Sequence, residues 1–378
     1  MKKSLLALAV VAVAASANAA TVYEKDGTSL GLDGRVQSVY YSNNHNKAGE
    51  NDSSIQNSGR FGIGGKTQVT DWVAGIGYAQ WDVSDGSAHN SFEARDQYVG
   101  ADFGEFGVLK AGRFVDSSYY AEEVTDHYED AAGTVQGKFN GERRGGQLMY
   151  TYDNYGFHAQ AGVQTAQDNA KVVGNDYFYD GADEFAVDSG FNGALGYTFD
   201  DVVFGPLSFR AGYSYLKGQT GNDLKGGDAG EDFNNFKHAT VGASWGNLNS
   251  GFYVAALYEY AKMTGLSVDV DFADAEFEGV NVKNKGFELA VGYAWDNGVS
   301  ALVGYESSKV KVTVDDFDGD GTYTIRRIPV FVNYKINSNF NVWAEAGFNA
   351  GSDHPEDREA GDNKIDKTVF SVGARYTF

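Results

Sequence analysis

Residues 157–165 read FHAQAGVQT, and the parity of this stretch decides the fold. Phe157, Ala159, Ala161, Val163 and Thr165 occupy one set of alternate positions, and His158, Gln160, Gly162 and Gln164 the other. A period of two belongs to a β-strand, whose successive side chains point to opposite faces, so one face is greasy and the other wet. The division recurs with Phe287, Leu289, Val291, Tyr293 and Trp295 against Glu288, Ala290, Gly292 and Ala294. It returns with Phe340, Val342, Ala344, Ala346 and Phe348 on one parity, and closes the chain with Phe370, Val372, Ala374, Tyr376 and Phe378.

Outward from these stretches, about sixteen such segments follow one another, beginning near Leu30, Gly59, Trp72, Ser91, Phe106, Gly145, Phe157, Gly190, Pro206, Lys237, Phe252, Gly286, Val299, Tyr323, Phe340 and Val369. The connections alternate in length: short turns at 153–156, 296–298 and 336–339, long polar loops at 168–189, 263–285 and 351–367. This pattern predicts an all-β chain, a transmembrane antiparallel β-barrel of about 16 strands with short periplasmic turns and long extracellular loops. A soluble β-sandwich alternates too. Segments of roughly nine to eleven residues, however, fit a tilted membrane crossing. Aromatics at segment ends (Trp72, Trp81, Tyr197, Phe199, Tyr258, Tyr260, Trp295 and Tyr334) fit the two bilayer interfaces. The other face, rich in Gly, Ser, Gln, Asn and charges, suits a water-filled lumen, and closure leaves no strand edge in the hydrocarbon.

The first residues carry Lys2 and Lys3, an apolar run from Leu5 to Ala15, and the small-residue sequence Ala17, Asn18, Ala19. This predicts a secretory signal peptide over 1–19, leaving 20–378 as a single barrel domain. The apolar run is too short to cross a membrane as a helix. With no Cys, an exported chain does not rely on disulfides, and 49 Gly, 25 Phe and 24 Tyr against 3 Pro favour one large all-β domain. A net charge of -22 argues against nucleic-acid binding, which needs basic patches to neutralise phosphate. The acidity either keeps the chain soluble or marks surface loops that meet divalent cations and lipopolysaccharide.

One connection is abnormally long and acidic: Val115 to about Glu142, with Asp116, Glu122, Glu123, Asp126, Glu129 and Asp130. Folded inward, it would narrow the channel and line one wall with carboxylates; folded outward, it would be another solvated loop. Opposite charges are available on the wet parity of the strands. Arg35 falls with Asp33 and Gln37, Arg60 with Lys66 and Gln68, and Arg143 with Gln147 and Met149. Arg113 shares the parity of Leu109 and Ala111, so its inward direction requires a bulge or strand end. A guanidinium row facing an acidic loop would set up a transverse field that favours polar solutes. The same arginines could equally form salt bridges that stiffen the wall.

The chain resembles the general porins of Gram-negative outer membranes over nearly its whole length. The resemblance is most specific in Gly31 to Gln37 (GLDGRVQ), Gly59 to Gln68 (GRFGIGGKTQ), Arg95 to Arg113 (RDQYVGADFGEFGVLKAGR) and Ala374 to Phe378 (ARYTF). It implies a sixteen-stranded homotrimer in the outer membrane that passes small hydrophilic solutes and ions, with no cofactor and no enzymatic activity. It makes Arg35, Arg60, Arg113 and Arg143 the basic cluster of the constriction, and Asp126 with Asp130 the acidic pair on a third loop folded into the lumen. Glu129 competes with Asp130, because the family's Pro-Glu-Phe-Gly-Gly stretch reads Tyr128, Glu129, Asp130, Ala131, Ala132 here. Phe378 matches the family's signal to the barrel-assembly machinery.

Other motifs are weaker. Asp316, Asp318, Asp320 and Gly321 fit the first half of a calcium loop, but the position of the bidentate Glu is Arg327, so a solvated hairpin tip competes with a metal site. Gly65-Lys66-Thr67 fails as a phosphate-binding loop because its first glycine falls on Arg60. No Cys, six dispersed His and no nucleophile elbow leave little for catalysis. A membrane-embedded hydrolase, a substrate-specific porin or an adhesin would be the competing classes. Lumenal carboxylates beside the arginine row predict a mild cation preference.

Overall fold

Alternating stretches of the sequence pair along almost their whole length into antiparallel ladders. The computed structural model describes residues 20–45, 47, 52–83, 92–130, 143–172, 184–219, 230–270, 275–315, 320–353 and 367–378. The expected signal peptide, the second half of the acidic loop, and Asp316 and Asp318 lie outside them. The strands are β1 (Ala20–Lys25), β2 (Thr28–Tyr41), β3 (Ser54–Gln68), β4 (Ala74–Val83), β5 (Phe92–Asp102), β6 (Val108–Phe114), β7 (Arg144–Asn154), β8 (Phe157–Gln164) and β9 (Gln167–Lys171). They continue with β10 (Glu184–Val202), β11 (Gly205–Gly218), β12 (Asn235–Gly246), β13 (Gly251–Val270), β14 (Ala275–Ala294), β15 (Val299–Val314), β16 (Asp320–Lys335), β17 (Phe340–Asn349) and β18 (Val369–Thr377).

β2 to β8 and β10 to β18 form the wall of a closed sixteen-stranded barrel, in which β8 pairs with β10 and β18 returns to β2. β1 folds back on β2 through Asp26 and Gly27, both at positive φ, as a two-residue hairpin turn requires. β9 continues along the start of β10. The ring is locked at its seam by the last residue. Phe378 N donates to the Gly34 carbonyl at 3.0 Å, and Gly34 N donates to the Phe378 carbonyl at 2.9 Å. A Cβ on Gly34 would lie 2.5 Å from the Arg60 carbonyl oxygen, so no larger residue fits the seam.

Polarity runs opposite to that of a soluble protein. Val36, Val99, Leu195, Val241 and Val291 are 49–67% exposed on the outer face, while Gln147, Asn192, Ser214, Glu288, Glu345 and Ser371 are buried inside. Aromatics collect near the short turns, where Phe204 stacks on Trp245 at 4.0 Å and Tyr293 meets Trp295 at 5.0 Å. Such rings suit a headgroup interface.

Two expected loops are partly strand. The stretch 263–285 belongs mostly to β13 and β14, which continue their ladder to Val270 and Ala275. The stretch 168–189 contains most of β9 and the start of β10. The physical reason is an inversion of polarity at this end of the barrel. Lys262, Lys283 and Lys285 take the outer face, while Met263, Val280 and Val282 turn inward and pack with Phe185, Phe233, Phe236, Val310 and Ile325. The inner face is therefore wet over only part of its height, and an apolar plug fills this arc of the lumen toward the long loops.

Candidate constriction site

The acidic loop lies inside the barrel. Residues 115–130 leave β6, form the single-turn helix α1 (Tyr119–Glu122), and run along the inner wall. The wall is shaped to receive them. A Cβ on Gly242 of β12 would come within 2.5 Å of the Ala121 carbonyl oxygen, and one on Gly212 of β11 within 2.7 Å of that of Ser117.

At its root, the loop is held by the buried ion pair of Asp116 with Arg144. Burial alone would raise the Asp116 pKa, but Arg144, His238 and the Ser118 hydroxyl outweigh it and hold the carboxyl below its ordinary range. Ser117 Oγ bonds Asn192 at 2.7 Å, and Thr240 donates to the Ser118 carbonyl at 2.8 Å. Farther along, Thr125 donates to Glu288 at 2.6 Å, and Tyr253 donates to the Val124 carbonyl at 2.5 Å. Arg210 on β11 donates to Glu123 at 2.7 Å and lies over the Tyr120 ring at 4.6 Å. At the far end, the backbone N–H groups of Glu129 and Asp130 donate to the two oxygens of Glu345 on β17, at 2.7 and 3.0 Å. The loop thus reaches from β6 across β10 to β14 and on to β17, β18 and β2, leaving the aqueous path between itself and the remaining wall.

Two acids that compete in the sequence separate in space. Asp130 turns to the wall, accepting from Tyr41 at 2.9 Å, Ser371 at 2.7 Å and Trp343 at 3.4 Å. Glu129 meets the guanidinium of Arg375 in a two-pronged contact, with Nη1 donating to Oε1 at 2.8 Å and Nη2 bonding Oε2. Asp126 is exposed and accepts from Tyr119 at 2.5 Å.

On the facing wall, Arg60 and Arg95 share Asp82 at 2.7 and 2.6 Å, and Arg143 bonds Asp96 at 2.7 Å. Arg35 lies within electrostatic reach of Arg60, Arg375, Glu129 and Asp82, and Arg95 within reach of Arg60 and Arg143. The structure therefore brings Arg35, Arg60 and Arg143 into one basic strip. Arg113 donates from Nε to the Ala94 carbonyl at 3.1 Å, on a segment whose register shifts between Gly112 and Phe114. Within the strip, Arg60, Arg95 and Arg143 are salt-bridged to wall acids.

Four further residues of this site, Arg375, Arg95, Asp96 and Arg144, are not among those the sequence singles out. Arg375 is inward by the alternation of the last strand, yet its place in the ARYTF terminus draws attention to Phe378 instead. Arg95 and Asp96 both enter the lumen because the register shifts between Ala79 and Trp81, which no simple alternation anticipates. Arg144 is hidden likewise, because Gly146 at φ +71° breaks the parity at the start of β7.

On the short-turn side of the loop, a polar cavity of about 550 Å³ is bounded by Lys110, Tyr119, Tyr120, Glu123, His158 and Arg210. It is the lumen continuing past the loop. Of the calcium-motif residues, Asp320 and Gly321 are described, opening β16.

The family described as Gram-negative porin matches residues 25–378. Outer membrane protein S2 of Salmonella typhi is 27% identical, covering all of both chains. Outer membrane porin F of the same organism is 28% identical over 92% of this chain and 93% of its own length. The barrel superposes on OmpF of Salmonella typhi, solved in complex with daunomycin, with a TM-score of 0.71 at 21% identity over 95% of this chain and 100% of that one. It superposes on a loop-deleted OmpT of Vibrio cholerae with a TM-score of 0.65 at 18% identity, over 93% and 100%.

Proposed function

The chain belongs to the Gram-negative porin family, and on that premise we propose that its outer-membrane channel filters solutes at the strip of Arg35, Arg60, Arg95, Arg143 and Arg375 facing the inward loop. It is a general diffusion porin, a passive path for small hydrophilic solutes and ions, and not an enzyme. The observation that carries the filter is the contact of Glu129 with Arg375, which sets a loop carboxylate against the basic wall. Fixed opposite charges across a narrow aqueous gap order water and disfavour apolar solutes without any chemical step.

Five guanidinium groups meet three acids here, Asp82, Asp96 and Glu129. Cation preference then has to come from carboxylates beyond the strip, such as Asp126. Replacing Arg60 and Arg143 by Gln should shift the reversal potential in a salt gradient toward cations; an unchanged potential would remove both from the filter. Arg113 belongs to the strip only if Arg113→Gln moves the same potential.

We further propose a homotrimer bound to lipopolysaccharide. What supports the lipid contact is a lysine ladder on the outer face near the long loops: Lys237, Lys262, Lys283 and Lys311 lie opposite one another in register, with Lys285 opposite Lys309. Like charges directly opposite in a sheet are destabilising, and phosphates of the outer leaflet would relieve them. Native mass spectrometry reads both proposals, as three chains with retained lipopolysaccharide. Lys237→Gln, Lys262→Gln and Lys283→Gln together should lower lipid retention; equal retention, or monomers alone, would refute the respective proposal. By family resemblance, Phe378 is the contact for the barrel-assembly machinery, and Lys2, Lys3, the apolar run and Ala17-Asn18-Ala19 support a signal peptide over 1–19. Deleting Phe378 should reduce the assembled fraction in cells, and N-terminal sequencing should begin at Ala20.

A further inference from the structure

Beneath the inward loop lies a group of ionisable side chains that the filter does not use. Glu122 projects from α1, His238 from β12 and Glu259 from β13, and all three are wholly buried. His238 Nε2 lies 3.7 Å from Glu122 Oε1 and 3.3 Å from Glu259 Oε1. One ligand atom from each residue falls within 4.8 Å of the others.

The second observation is Glu259 itself. Its side chain is 0% exposed, and neither carboxylate oxygen accepts a hydrogen bond among the described residues. Its oxygen is aimed at His238. Carboxylates in a dry interior are expensive unless something of opposite charge meets them. Neighbouring charges already have their own partners: Asp116 is paired with Arg144, and Glu288 accepts from Thr125. Phe236, Leu257, Ala121 and Val124 are buried nearby in sequence or on the same strands, and the buried Ser214 and Thr240 stand opposite His238 and Glu259 in register.

We propose that Glu122, His238 and Glu259 form a binding site for a divalent transition-metal ion, with zinc as its natural probe, that fastens the inward loop to the wall. The spacing suits it. With metal–nitrogen and metal–oxygen bonds of about 2.0–2.2 Å, adjacent donors of a tetrahedral site stand roughly 3.4 Å apart. One imidazole and two carboxylates are a borderline donor set that takes zinc in preference to calcium or magnesium, which want all-oxygen shells. The two carboxylates also bring negative charge that a divalent cation cancels. His238 would ligate through Nε2, and a water or a second carboxylate oxygen would complete the shell. Because the site is closed, the ion enters as the barrel folds and stays.

The test uses the untagged chain, unfolded in urea and refolded into detergent with zinc chloride and a large excess of magnesium, then desalted. Metal analysis should find about one zinc per chain in the wild type, and at least tenfold less in His238→Gln and Glu259→Gln. Zinc absent from the wild type, or retained equally by the variants, would overturn the site. If neither variant folds, refolding the wild type with cobalt decides the matter. Intense visible ligand-field bands that zinc displaces only on refolding support the site, and a colourless protein refutes it. Single-channel conductance of the same samples is expected to persist without metal. A loss of zinc therefore does not bear on the channel, nor does a failed channel bear on the zinc.

Discussion

Glu129 and Asp130 are neighbours with opposite duties. Asp130 accepts three hydrogen bonds from the wall, whereas Glu129 presents its charge to Arg375. A charge tied into a hydrogen-bond network holds shape, and one facing the gap sets selectivity. Glu129→Gln should therefore shift the reversal potential toward anions with little change in conductance noise. Asp130→Asn should leave selectivity nearly intact and make the open current noisier; the reverse assignment would contradict the geometry. Parity alone makes Arg35 and Arg60 legible in the sequence, because their strands are regular there. It fails at Arg95 and Arg144, where a register shift and a left-handed glycine let adjacent residues face the same way. The choice between the two acids is not legible either, since it depends on Glu345 capturing two backbone N–H groups from a strand more than two hundred residues away in the chain.

The inward loop is an element held at its root by one buried ion pair. Removing one partner of such a pair leaves an uncompensated charge and typically costs about 3–5 kcal/mol. Asp116→Asn should accordingly loosen the loop and lower the voltage at which the channel closes. The pH dependence has a definite sign. Asp116 is held below its unfolded value of about 3.9, so its contribution is complete above that pH and is lost only as pH falls through the lower folded value. Acid should thus lower the closure voltage of the wild type in that window and leave Asp116→Asn unaffected; equal responses in both would exclude Asp116 as the switch. Among the strands, boundaries are legible wherever lipid meets one face and water the other. They are not legible at 263–285, because toward the long loops lysines turn outward and apolar side chains inward, and a polar outer face looks like a loop.

At the scale of the whole molecule, the outer valines and aromatics find lipid, the inner polar groups find water or each other, and the loop narrows what remains. A closed sheet of sixteen strands is wide enough for an aqueous path, whereas one of eight is filled by its own side chains. The closed wall and the inward loop are the parts of the molecule that family resemblance anticipates best. The apolar plug under the long loops and the buried Glu122, His238 and Glu259 group are those it anticipates least, because both arise from side chains of separate elements meeting inside the ring. The most direct measurement is single-channel conductance of the refolded protein in a planar bilayer, with uncharged polymers of graded size in the bath. Stepwise, nearly ohmic currents that fall when polymers small enough to enter are added, and recover with larger ones, are predicted. A bilayer that stays silent, or currents indifferent to polymer size, would contradict a water-filled lumen.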